Sequence, residues 1–112
     1  WNILLDENGG PNHVKNFCFA PIHADTQNNE LIYTPTYYYI GHFSKFIEPG
    51  AKCVSTTVSR SALESTSFQN PNGQTVTVVM NRTAETIPFK LIVGDVEVSL
   101  EIAAHAMHTI LY

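Results

Sequence analysis

From Ala51 onward, apolar and polar residues alternate with a period of two, the repeat of strands whose successive side chains face opposite sides. Six runs carry this pattern, over residues 52–59, 63–69, 75–82, 87–93, 96–102 and 107–112, each rich in β-branched or aromatic residues. Turn residues separate them. Asn70-Pro71-Asn72-Gly73 predicts a hairpin loop, and Gly94-Asp95 a two-residue primed turn. Within the third run, Val76, Val78 and Met80 are expected on the inward face and Thr75, Thr77 and Val79 on the outward one. Six short strands at this spacing argue an antiparallel β-sandwich.

Before Pro49-Gly50 the period changes. Tyr39, Phe43 and Phe46 recur at helical spacing, as do Tyr37, Ile40, Ser44 and Ile47, which predicts a helix over 36–47 buried on much of its circumference. Pro49-Gly50 ends it. Further upstream, Ile3-Leu4-Leu5 is a continuous apolar run that predicts a short strand buried on both faces. It empties into the acidic, amide, Gly and Pro residues of 6–12, an irregular loop. That geometry suits either an active-site rim or an ordinary surface turn. Residues 17–29 read as loop and short extended pieces, with a turn at 26–29.

A length of 112 residues supports one core but is small for a complete enzyme with a deep cleft. Charged residues make up only 14 %, the net charge is -4, and no two of the six basic residues are adjacent, which argues against nucleic-acid binding. No apolar stretch approaches the roughly 20 residues that span a bilayer. No leader is visible either, so any targeting signal is expected outside these residues. Cys18 and Cys53 lack metal or redox spacing and read as buried free thiols.

Several residues invite chemistry. Asp6 and Glu7 are adjacent carboxylates, but a retaining glycosidase pair must converge at about 5 to 5.5 Å, and neighbouring extended residues point apart. A loop-structuring role is expected instead. His105 and His108 have helical metal-ligand spacing yet fall where a strand begins, so no metal is expected there. His23 and Asp25 are two apart, and a structural contact between them is conceivable. Asn81-Arg82-Thr83 matches an N-glycosylation acceptor. Trp1, the single tryptophan, is either a core residue or an apolar platform for a sugar.

The motifs Trp1-Asn2, Glu7-Asn8-Gly9-Gly10-Pro11-Asn12, Val14-Lys15-Asn16-Phe17, Ala20-Pro21-Ile22 and Gly41-His42-Phe43-Ser44-Lys45-Phe46-Ile47 together resemble glycoside hydrolase family 30, most closely its glucosylceramidases. Asn70-Pro71-x-Gly73, Val78-Val79-x-Asn81-Arg82 and His108-Thr109 extend the resemblance toward the C-terminus. It implies a mainly β fold and the C-terminal segment of a longer enzyme. Residues 1–50 would be the end of a (β/α)₈ catalytic barrel, with its last strand, rim loop and last helix. Residues 51–112 would be an immunoglobulin-like β-sandwich of the glycosyl hydrolase C-terminal type.

The resemblance also implies a retaining β-glycosidase acting on β-glucosides such as glucosylceramide-type glycolipids, without a cofactor or metal. Its two catalytic glutamates would lie upstream, leaving no catalytic residue here. Trp1, Asn16 and Phe17 would bind substrate. Further implications are partnership with the rest of the barrel, peripheral membrane contact through a lipid substrate, and a secreted or lysosomal location. His13 stands where animal glucosylceramidases carry tryptophan, and residues 19–23 depart from their loop.

Two other roles fit the second half. It could be a stand-alone carbohydrate-binding or interaction sandwich, although only Phe68, Phe89 and Tyr112 are aromatic beyond Ala51. It could also simply brace the barrel.

Overall fold

A computed structural model describes all of residues 1–112, which separate into two compact units, Trp1–Gly41 and His42–Tyr112. The first unit holds a three-stranded sheet in the order β1 (Leu4–Asp6), β2 (Ile22–Asp25), β3 (Glu30–Tyr33). β1 runs parallel to β2, with Leu4 opposite Ile22, and β2 turns back antiparallel into β3. The Asp25 carboxylate shapes that turn by accepting from the backbone N–H groups of Gln27 and Asn28 and from the Asn28 amide. Helix α1 (Pro35–Ser44) follows, opening on a proline whose missing N–H costs nothing at that position.

Two expectations fail in this unit. β1 is not buried on both faces, and no residue of α1 is buried. Ala20 is the sole buried apolar side chain of residues 1–41. One small sheet offers no second layer, so apolar stripes that were read as buried stand in the open here.

The second unit contains β4 (Lys52–Val54), β5 (Leu63–Gln69), β6 (Thr75–Asn81), β7 (Ile87–Val93), β8 (Val96–Ile102) and β9 (Met107–Leu111). An antiparallel sheet of order β4-β5-β6-β9 faces the β7-β8 hairpin. Leu63 and Val79 from one layer meet Ile87 and Ile102 from the other, with Phe89 and Ile110 packed around them. The predicted hairpins are present: Gly73 adopts φ 90 and Gly94 φ 58, backbone that side chains other than glycine rarely tolerate.

β6 corrects the expected facing. Val76, Thr77, Val78 and Val79 are all buried, so both faces of β6, which is paired with β5 on one edge and β9 on the other, are covered. Val79, expected outward, lies opposite Ser65 and His108 and enters the core between the layers. Val78 lies opposite Thr66 and Thr109, on the face that His42 reaches. The first run is shorter than predicted, stopping at Val54. The helix stops at Ser44 rather than Ile47, and the buried Asn70 side chain supplies the reason. Its amide donates to the Phe46 carbonyl, and its oxygen accepts from Glu48 N–H. Both groups are thereby drawn out of helical pairing.

Candidate functional site

The loop after β1 is built by its own carboxylates. Asp6 accepts from the backbone N–H of Asn8 at 3.0 Å, while Glu7 accepts from the Thr26 hydroxyl at 2.6 Å and the Thr26 N–H at 3.2 Å. These bonds, the Thr26 hydroxyl foremost, hold Glu7 below the usual carboxylate range. The Asn28 amide does the same for Asp25. Asp25 therefore serves its turn and does not partner His23. The carboxyls of 6, 7 and 25 organise loops.

The same loop seats two aromatic rings. Gly9 adopts φ 62, and a Cβ there would lie 2.9 Å from ring atoms Cδ2 and Cε2 of Phe17 and 2.8 Å from the Cys18 carbonyl oxygen. A Cβ on Gly10 would lie 3.0 Å from Cη2 of the Trp1 indole. Consecutive glycines thus let Phe17 and Trp1 close directly onto backbone. The chain returns antiparallel beside them, with Cys18 N–H donating to the Gly10 carbonyl at 2.8 Å. Asn16 lies on this returning stretch, its amide 3.5 Å from Cys18 Sγ.

Trp1, Asn16 and Phe17 accordingly gather on one loop cluster at the end of β1. Trp1 remains 80 % exposed, so within these residues its indole is a surface and not a core group. The returning stretch also carries a ring that the sequence motifs did not single out. Phe19 stacks on His23 with centroids 4.6 Å apart and meets Phe17 edge-on at 4.7 Å. The i, i+2 spacing of Phe17 and Phe19 was the available signal.

Other candidates resolve differently. Both cysteines are free but exposed, against the buried reading, because Cys18 lies on the rim and Cys53 on the three-residue β4 of the outer sheet edge. The amide of Asn81 is buried and donates to the carbonyls of Glu85 at 2.7 Å and Ala103 at 2.9 Å. The acceptor triplet is therefore a structural node rather than an attachment point. His105 sits at a turn with φ 51, and His108 on β9.

Between the sandwich layers lies an open groove of about 980 Å³ with Phe89, Leu91, Ser67, Thr77 and Tyr112 on its walls. Three hydroxyls on its walls are engaged with one another, Ser67 with Thr77 at 2.7 Å and Thr77 with Tyr112 at 3.0 Å.

Residues 1–47 match the glycosyl hydrolase family 30 TIM-barrel domain, and residues 50–110 match the glycosyl hydrolase family 30 beta sandwich domain. The two matches adjoin in chain order, the barrel piece first and the sandwich second. The chain belongs to glycosyl hydrolase family 30.

Among named relatives, the mouse (Mus musculus) lysosomal acid glucosylceramidase is 40 % identical over 92 residues, covering 81 % of this chain and 18 % of its own length. Putative glucosylceramidase 3 of Caenorhabditis elegans is 30 % identical over 115 residues, covering 100 % of this chain and 22 % of its own. The chain thus spans about a fifth of the length of these relatives. Among solved structures, SrfJ from Salmonella typhimurium superposes with a TM-score of 0.93 at 38 % identity, over 100 % of this chain and 25 % of that one. The endo-beta1,6-glucanase BT3312, at 22 % identity and a TM-score of 0.82, covers 97 % of this chain and 25 % of its own and shares the fold.

Proposed function

We propose that these residues form one wall of the sugar site, together with a bracing β-sandwich, of a retaining β-glycosidase of glucosylceramidase type. The observation that carries this reading is the seating of Trp1 and Phe17 on Gly10 and Gly9 at the C-terminal end of β1. In barrel enzymes the C-terminal ends of strands are where substrates bind. Two rings beside an amide offer apolar faces and a hydrogen-bonding group, the combination a pyranose needs. Asn16 supplies that amide.

The functional division proposed is 1–50 for the barrel end and 51–112 for the sandwich. The apolar surface left open on residues 1–41 then belongs against the rest of the barrel, which is this segment's principal partner. The catalytic carboxylate pair is taken to lie outside these residues, as the family resemblance implies, and Asp6, Glu7 and Asp25 are committed to loops. The names of the curated relatives support a glucosylceramide-type substrate, and peripheral membrane contact through such a lipid is part of the proposal.

Hydrolysis of an aryl β-glucoside by the full-length protein, followed by NMR of the first-formed sugar, tests the reading. A β-configured product is expected. No hydrolysis, or an α-configured product, overturns it.

A further inference from the structure

We propose that Phe19 is a positioning residue for Phe17, with His23 anchoring Phe19 in turn, so that a ladder of three rings sets the face Phe17 offers to the sugar. This rests on the reading of Phe17 as a sugar contact.

The geometry is that of a relay from a strand to a loop. His23 belongs to β2, paired with Leu5 on one side and Ile32 on the other, so its backbone is held by the sheet. Its Nε2 is buried without a polar partner, and its imidazole lies nearly parallel to the Phe19 ring, 21° between planes at 4.6 Å. Phe19 in turn stands at 84° to Phe17 with centroids 4.7 Å apart, the edge-to-face arrangement that ring quadrupoles favour. Phe17 is thereby confined between the Phe19 ring and the bare Cα of Gly9.

Phe19 is 68 % exposed within these residues, where its ring is held by the stack on His23 and the edge contact with Phe17. Its aromatic contacts are with Phe17 and His23. Removing its ring therefore frees the orientation of Phe17. A misoriented contact that grips substrate and transition state alike raises KM and leaves kcat in place.

Steady-state kinetics of the full-length enzyme on p-nitrophenyl β-D-glucopyranoside, with thermal melts, test the ladder. F19L is expected to raise KM by about three- to tenfold, the size of one lost edge-to-face pair, with kcat within about twofold. F19Y, which keeps the ring, is expected to restore KM. The double variant F17L/F19L is expected to be no worse than F17L. An unchanged KM in F19L, a double variant showing the product of both single effects, or a loss confined to Tm and kcat overturns the ladder. If F17L itself leaves kinetics unchanged, the sugar-contact reading fails. If F17L raises KM while F19L does not, only the ladder fails.

Discussion

Nδ1 of His42 lies 2.9 Å from Oγ1 of Thr109, and the same hydroxyl lies 3.3 Å from the carbonyl oxygen of His42. A hydroxyl has one proton. With it donated to the carbonyl, Oγ1 accepts from Nδ1–H of His42. The pair closes a separation of 67 residues and ties His42 to β9. Thr109→Val keeps the shape but strands both partners, and is expected to cost about 1 to 3 kcal/mol, read as a lower Tm of the full-length protein. Thr109→Ser should recover most of that. A valine variant melting like the wild type would show that the clamp contributes nothing.

Asn81 is 1 % exposed and satisfies four groups at once: it accepts from Thr83 N–H and Oγ1–H and donates to the carbonyls of Glu85 and Ala103. Asn81→Ala leaves those groups unpaired and is expected to destabilise by about 3 kcal/mol. Because the amide is engaged inside the fold, expression in a glycosylating eukaryotic host is expected to leave the peptide containing Asn81 at its unmodified mass. Substantial glycan occupancy at Asn81, detected by mass spectrometry, would contradict its burial.

The contrast between Asn81 and the strands around it shows what could be read from sequence. Residues 63–69, 87–93 and 96–102 became strands at their expected bounds, since alternation and flanking turn residues are local signals. β2 and β3 escaped notice because His23, Asp25 and Glu30 break the apolar pattern, and β2 pairs with the distant β1. The facing of β6 was misjudged because period two assigns sides but cannot show that both are covered. At the rim, Trp1, Asn16 and Phe17 were legible through the family motifs. That Gly9 and Gly10 serve as seats for two rings depends on a chain reversal that no local pattern encodes.

Ile102 has no exposed surface and sits where β8 meets Leu63 and Val79. Ile102→Ala opens a cavity between the two layers and is expected to cost about 2 to 5 kcal/mol in the full-length protein. If the sandwich braces the barrel without touching substrate, KM for an aryl β-glucoside should hold at temperatures where the variant remains folded. A shifted KM there, measured beside the melt, would count against a purely bracing role.

Trp1→Ala removes an indole that is largely exposed in these residues and rests on Gly10. If that face meets the sugar near the reacting carbon, kcat/KM is expected to fall about tenfold or more, a loss of about 1.4 kcal/mol of transition-state binding. Trp1→Phe should fall between the two. Equal kcat/KM values for all three proteins would remove Trp1 from the site.

Glu7 gains its acidity from the fold, chiefly from the Thr26 hydroxyl. A carboxylate held below its unfolded value, about 4.3, adds stability that is complete above that value and is lost as pH falls through the folded one. Acidification is therefore expected to loosen the contact between the loop after β1 and the β2–β3 turn only below about pH 4. Thr26→Val removes the largest contribution and should move the Glu7 titration upward, toward the ordinary range. Asp25, whose own depression comes first from Asn28, should move far less and serves as the internal control. Carboxyl ¹³C titrations of the wild type and variant make the comparison, and a Glu7 midpoint unmoved by the substitution would show that Thr26 is not what holds the loop.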